Sequence, residues 1–326
     1  MTQSYEILDD PEYLRDAIEL TSKRANLPPA LVEKDLWVTF VLKHLFTDSL
    51  WKNNLLFKGG TCLSKCYDAI DRFSEDVDLL LDWRVLGYDS DGPAIESSRK
   101  KQDNSNVLLR GRLKQFVDDQ FVPTLRNDIS NMIHRPFEIV TNGTDVIFRY
   151  PSSYGSSYVK NEVIIEMGPR GKWGTPDYRI ASSYISQNTV SLGDSAKIRC
   201  IPLEQAYYEK IQVLHSSASR GKVPDRYSRH YYDVYKIHHK LGRIIFDFDS
   251  LNSILEYNRR FFPGAGFGYD TMKKGTYRLM PTEVMMDALR DDYKHMENMI
   301  FGEIPSFDDI LSEIGMIEEE LNSQPE

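Results

Sequence analysis

The chain has 326 residues, 41% of them hydrophobic and 27% charged, and its 49 acidic groups against 40 Lys and Arg leave a net charge of -9. That mix belongs to a folded globular protein rather than a disordered or collagen-like one, and the length allows one large or two ordinary domains. The acidic balance excludes indiscriminate coating of nucleic acid, so a polyanionic partner must find a local basic patch.

Met1 to Asp10 lacks a basic start followed by an apolar block, and no stretch approaches the ~20 apolar residues of a membrane helix, so the expectation is a cytoplasmic protein, neither secreted nor anchored. From Pro11 to Leu50, apolar residues at helical spacing (Leu14 and Ile18, then Leu31, Leu36, Val38, Val41, Leu42 and Leu45) predict two helices, the second entered after Pro28-Pro29. A short strand, Leu55-Leu56-Phe57, stops at Gly59-Gly60. Thr61 to Ile70 then reads as a helix and Val77 to Leu81 as a strand. Cys62, Cys66 and Cys200 make neither an even disulfide framework nor a metal-ligand spacing; they read as reduced thiols, with Cys62 and Cys66 buried one helical turn apart.

Lys100 to Ile133 predicts a helix with Leu108, Leu109, Leu113, Phe116, Val117 and Phe121 on one side. Phe137 to Val140, Val146 to Tyr150 and Tyr158 to Met167 alternate and predict antiparallel strands, joined by Asn142-Gly143 and by a Ser/Tyr/Gly loop. Helical patterns fill the rest: Leu203 to His215, Tyr231 to Leu241, Phe248 to Arg259, Thr282 to Met299 and Phe307 to Leu321. The predicted division is an α/β part with N-terminal helices over 1-190 and a mainly helical part over 191-326.

The densest chemistry lies between Phe57 and Leu81. Adjacent glycines after Lys58 let the backbone turn sharply and approach a ligand, and amides at the start of the following helix suit a phosphate. In a strand, residues two apart face the same way, so Asp76 and Asp78 present two carboxylates side by side while Val77 and Leu79 face the core. Such a pair repels itself unless a divalent cation intervenes, and Mg²⁺ held by one or two carboxylates plus substrate phosphates is the standard arrangement. Two metals about 3.5–4 Å apart would activate an attacking hydroxyl and offset charge on a leaving pyrophosphate. A helix cap and a solvated strand end are the plain alternative, which the adjoining glycine turn weighs against.

Lys58-Gly59-Gly60-Thr61, followed by Arg72-Phe73-Ser74-Glu75-Asp76-Val77-Asp78-Leu79, resembles the first motif of the AbiEii-type nucleotidyltransferase toxins, within the polymerase-beta-like superfamily. Leu203-Glu204 to Glu209-Lys210, and then Arg229-His230-Tyr231-Tyr232-Asp233, resemble that family's lysine-bearing helix and its Arg/His-x-x-Asp motif. Glu33-Lys34-Asp35 and the segment from Asp292-Tyr293 to Met296 resemble it too, so the likeness runs from about residue 30 to 322. It implies an α+β fold, a nucleotidyltransferase-like mixed sheet with flanking helices plus a mainly helical C-terminal domain.

The resemblance also implies roles. Asp76 and Asp78 would bind metal (Mg²⁺ or Mn²⁺), Lys210 would contact the triphosphate, Asp233 would complete the site, and Gly59, Gly60 and Thr61 would hold phosphate. Arg229 and His230 could line one surface with Asp233, one helical turn apart. The superfamily uses a third carboxylate on a later strand, and Glu162 and Glu166 share one face there; Ile164-Ile165-Glu166-Met167-Gly168 looks more like the family strand, so Glu166 is preferred. An ammonium beside a triphosphate stabilises charge growing on a departing pyrophosphate, which gives Lys210 a case of its own, although without the resemblance an ordinary surface lysine is the default; for Asp233 a cap or intrahelical ion pair is the lesser alternative. The implied reaction carries NMP from an NTP to RNA, the 3′ end of a tRNA foremost, which blocks aminoacylation and translation, with a cognate antitoxin encoded nearby. The alternatives are transfer to a protein or small molecule, and a catalytically idle partner-binding protein.

Three further features are equivocal. The basic loop from Arg220 to Arg229 could hold triphosphate or RNA backbone or be a solvated linker. Arg99-Lys100-Lys101 with Arg110, Arg112 and Lys114 could extend a positive surface or be a solvated face, and Tyr150, Tyr154 and Tyr158 could stack on bases or pack. Gly264 to Gly268 has no following lysine and no preceding strand, and His238-His239 has no partner at ligand spacing, so neither carries a site.

Overall fold

The computed structural model of the protein describes residues 6–89, 92–154, 159–169, 171–242 and 244–324. Helix α1 (Pro11–Ala25) starts where Asp10 accepts hydrogen bonds from the amides of Glu12 and Tyr13 with Pro11 at the first helical position, and it stops at Asn26 in the left-handed region. Helix α2 (Pro29–Lys43) is buried from Val32 to Leu42 without a break, so it is a central helix rather than an amphipathic cover.

Among the described residues the sheet has seven strands, in the order β3-β4-β5-β2-β1-β7-β6. These are β1 (Leu55–Lys58), β2 (Val77–Leu81), β3 (Glu138–Asn142), β4 (Asp145–Arg149), β5 (Glu162–Gly168), β6 (Asp177–Ala181) and β7 (Ala196–Cys200). Strand β2 runs antiparallel to β1 and parallel to β5, while β7 runs parallel to β1, so the sheet is mixed. The α+β class expected from the sequence is the class found.

Four details differ from the sequence expectations. The helix after the glycine turn, α3 (Gly59–Lys65), is shorter than Thr61 to Ile70, because Asp68 adopts a φ of 49° and the amide of Ala69 returns to the carbonyl of Leu63, closing the helix end. The strand expected from Tyr158 begins at Glu162, and Tyr158 itself lies outside the described residues. Strands β6 and β7 were not expected. Strand β7 shows the buried/exposed alternation of a half-covered strand, and it falls beyond residue 190, where the sequence alone divides the chain, yet it is the parallel neighbour of β1.

Helices α4 (Arg99–Phe116) and α5 (Val122–Ser130) are joined by one π turn, Val117–Phe121, which keeps the chain helical up to Pro123. A short α6 (Tyr184–Asn188) follows β6. The C-terminal part packs α7 (Leu203–Arg220), α8 (Ser228–Leu241), α9 (Phe248–Phe261), α10 (Glu283–Glu297) and α11 (Phe307–Ser323). One continuous apolar core, from Leu8 to Leu321, runs through sheet and helices alike. No helix among the described residues is long and apolar enough to cross a membrane.

Candidate active site

The site is assembled from the middle of the sheet outward. Strand register sets Lys58 of β1, Asp78 of β2 and Glu166 of β5 in one row across three neighbouring strands, Asp78 in the centre. Neighbouring positions of this kind hold side chains on the same face a few ångströms apart. Asp76 precedes β2 by one residue and is on the same face by alternation. Glu162 lies at the start of β5 and is engaged elsewhere: Arg149 approaches its carboxylate to 3.4 Å and Lys160 to 3.7 Å. The register therefore sets Glu166, not Glu162, next to Asp78.

All three acids are held above the ordinary carboxylate range. Asp78 is raised by burial against the opposing attraction of Lys58, Lys210, Arg229 and Arg72. Asp76 is raised by burial and then by the charges of Glu75 and Asp78. Glu166 keeps solvent contact along its length, but desolvation of its carboxyl group, followed by repulsion from Asp78, Asp76 and Asp145, pushes it up to about 7. This is the behaviour of carboxylates that lack a compensating positive charge at close range.

The glycine turn lies against these acids. Gly59 has a φ of 76°, and a Cβ there would stand 1.8 Å from Oδ2 of Asp78; a Cβ at Gly60 would stand 2.6 Å from Oγ of Ser74 and 2.9 Å from Nη2 of Arg72. Bare backbone is thus required at both positions for the turn to approach the acid strand. The buried Thr61 hydroxyl donates to Ser74 Oγ at 3.0 Å, which pins α3 to the loop leading into β2.

The helical part closes on that same loop. Phe73 donates its amide to Met299 and Phe301 donates to Asp71, a clasp between the acid loop and the segment after α10. Beneath it, Arg72 makes a two-pronged pair with Asp233 of α8, Nε to Oδ1 at 2.7 Å and Nη2 to Oδ2 at 2.8 Å. Lys210 of α7 joins them with its Nζ 2.7 Å from Asp233 Oδ2. Asp233 is 0% exposed, and although burial alone would raise its carboxyl, the Arg72 guanidinium and the Lys210 ammonium hold it well below the usual range. Arg72 carries no signal in the sequence beyond its place in the motif, because its partner is on a distant helix.

Arg229 and His230 also stand on α8. Arg229 is held below its ordinary value by burial and by Arg72 and Arg226, and the charges of Asp233 and Asp78 act on it in the opposite sense. His230 is driven well below its usual value by burial and by Lys210, so its ring is neutral at pH 7, and its Nδ1 is buried without a hydrogen-bond partner among the described residues. The loop between α7 and α8 is tied down by Asp292, which accepts from the amides of Arg226 and Ser228 at 2.8 Å and 2.7 Å.

The Glu33-Lys34-Asp35 triplet anchors the scaffold. Glu33 accepts from Ser152 and Ser153, Lys34 reaches Glu75 at 3.1 Å and donates to the carbonyls of Lys160 and Glu162, and Asp35 pairs with Lys65 of α3 at 2.6 Å and accepts from the Tyr184 amide. Consecutive residues of one buried helix thereby fix the acid loop, β5 and α3 with respect to each other.

A cavity of about 420 Å³ opens over Lys58, Asp78 and Glu166 and is closed by Glu209, Val213 and Tyr257 of the helical part. A larger one of about 490 Å³ flanks α3 and includes Thr61, Lys65, Arg72 and Ser74 but none of the three acids, so the smaller is the one that fits metal and phosphate chemistry. Arg110 borders the acid cavity, whereas Arg112 bonds the carbonyl of Leu86 and Lys114 pairs with Asp118. Tyr150 is buried and stacked on Trp37 with centroids 5.3 Å apart, and Tyr154 bonds Arg15 and Glu19, so these rings pack and are not free to stack on bases.

The family profile described as "Nucleotidyl transferase AbiEii toxin, Type IV TA system" matches residues 41–313. No curated protein matches the sequence. Among solved structures the chain is similar to MenT4, a nucleotidyltransferase toxin from Mycobacterium tuberculosis H37Rv, at 15% identity and a TM-score of 0.43, with 94% of this chain and 99% of that one covered.

Proposed function

This chain belongs to the AbiEii nucleotidyltransferase toxin family of type IV toxin–antitoxin systems, and from that premise we propose that it carries NMP from an NTP to the 3′ end of a tRNA, blocking translation until a cognate antitoxin restrains it. The observation that carries this reading is the in-register pair Asp78 and Glu166, with Asp76 two residues upstream, all three raised and crowded. A hard divalent cation, Mg²⁺ or Mn²⁺, is the species that relieves such crowding, and the all-oxygen donor set fits it. Asp76 and Asp78 would hold it, and once bound it supplies positive charge to the triphosphate and the departing pyrophosphate.

The chain's own residues do the rest. Gly59 and Gly60 keep the turn bare, and with Thr61 they leave the start of α3 to the phosphates. Lys210 is fixed through Asp233 and brings its ammonium toward the acid face, where a preset charge stabilises growing negative charge without rearrangement. Asp233 is a positioning residue, since both its oxygens are taken by Arg72 and Lys210. Glu166, set beside Asp78 by the register of β5, is placed to accept the proton of the attacking hydroxyl. Arg229, whose charge acts on Asp78, offers a further contact to the nucleotide; His230 stands beside it with its Nδ1 buried, so its part is to line the same surface of α8. The acids come from the α/β part of the chain and Lys210 and Asp233 from the helical part, so the site lies where the two meet.

Incubation with labelled NTPs and total RNA tests the reading. Label is expected on RNA of tRNA size with the wild-type chain and absent with Asp78→Ala. Label that survives that substitution, or that appears on protein instead of RNA, overturns it.

A further inference from the structure

The three cysteines, which by spacing read as reduced thiols without a metal-ligand pattern, converge in the fold. Cys62 lies on α3 and Cys66 directly caps it, while Cys200 ends β7, where it sits opposite Phe57 of β1. All three are free, and their Sγ atoms all lie within 4.8 Å of one another. The third sulfur comes from a strand far along the chain, and no spacing rule sees across that distance.

We propose that Cys62, Cys66 and Cys200 form a binding site for one soft cation, Zn²⁺ or Cu⁺, held by three thiolates. A metal–sulfur bond of about 2.3 Å sets sulfurs around a shared ion about 4 Å apart, so small side-chain rotations close the set. Sulfur ligands select these ions over Mg²⁺, which keeps the site chemically distinct from the carboxylate face. Among the described residues no histidine or carboxylate joins the group, so the donors are sulfur alone. Cys62 and Cys200 are buried, whereas Cys66 is half-buried and is the route of entry. Cys66 is also the most acidic of the three: the neighbouring thiols of Cys200 and Cys62, and then the charges of Lys65 and Arg179, hold it below the ordinary thiol value against the opposing effect of burial. The three thiols release their protons to solvent as the ion binds, and Lys65 and Arg179, although paired with Asp35 and Asp177, add positive charge nearby.

The location gives the ion a mechanical consequence. It would lock α3, which opens with the glycine turn, to β7, the neighbour of the strand that ends in Lys58. The site stands on the cysteine geometry and does not depend on the nucleotidyl-transfer reading.

The full-length chain, reduced and stripped of metal by chelation, is titrated with Co²⁺ in excess Mg²⁺. A sulfur-to-cobalt charge-transfer band in the near ultraviolet is expected to saturate at one Co²⁺ per chain. It should bleach on adding Zn²⁺ or Cu⁺, and separate arms identify which ion displaces it. The band should be lost in Cys66→Ser and Cys200→Ser and retained in Asp76→Asn/Asp78→Asn. In case the cysteine variants do not fold, a calorimetric Zn²⁺ titration of the wild-type chain is repeated after alkylation of its thiols. Absence of the band in the stripped wild-type chain, or a Zn²⁺ isotherm unchanged by alkylation, overturns the proposal.

Discussion

Two aspartates, Asp78 on the sheet and Asp233 on α8, are both withdrawn from solvent and behave in opposite ways. Asp78 on the sheet is raised by burial, which outweighs the attraction of Lys58, Lys210, Arg229 and Arg72 because none of them closes on it. Asp233 on α8 is more deeply buried and yet is held low, because Arg72 grips both its oxygens and Lys210 adds a third contact. Burial thus does not decide the charge state of an acid; contact with a paired cation does. On the sheet side, among the described residues, no cation closes on the three acids; on the helical side Asp233 is fully paired, and the Lys210 it fixes is the charge proposed to meet the triphosphate.

The comparison breaks most visibly if the closed triad is opened. Asp233→Ala leaves Arg72 and Lys210 buried without their partner, and a loss of about 3–5 kcal/mol in urea denaturation is expected, with transfer activity lost as well. An unchanged unfolding midpoint would show that the triad is not the clamp described.

Asp78→Asn should act in the opposite sense on stability. Transfer is expected to fall on the order of 10²–10³-fold in the labelling assay, while the thermal midpoint of the metal-free chain holds or rises, because the charge removed was an unfavourable one. A fall in stability like that of Asp233→Ala would erase the distinction between the two sides.

Metal and pH sharpen it further. Saturating Mg²⁺ should raise the wild-type midpoint by about 1–2 °C for each kcal/mol of binding and leave Asp78→Asn unmoved in the same scan. Glu166 keeps its proton in the folded chain up to about 7 against an ordinary value of 4.5. In the metal-free protein its contribution to stability is therefore full below about 4.5 and is lost as pH climbs through about 7. Glu166→Gln should flatten that slope in thermal scans across the interval, and Mg²⁺, which needs the ionised acid, should oppose it.

The smallest effect belongs to Glu162→Gln. It removes peripheral pairs with Arg149 and Lys160, so stability should move by less than about 1 kcal/mol and transfer by less than about twofold. An effect as large as that of Glu166→Gln would exchange the two residues' roles.

The sequence by itself determined what short-range rules govern. Alternation in a strand aligned Asp76 with Asp78, adjacent glycines marked a turn at 59–60, and 3.6-residue periodicity located the helices that follow Leu203, because each is a relation between residues a few positions apart. Glu162 and Glu166 stayed equivalent at that level, since both lie on one face of one strand. Only the tertiary structure separated them, through the register that aligns Glu166 with Asp78. It alone also joined Arg72 to Asp233 and Lys210, brought Cys200 to Cys62 and Cys66, and inserted β7 beside β1. These are meetings between segments widely separated in the chain, and which partner a buried charge or thiol acquires is set by packing of the whole core rather than by its neighbours in sequence.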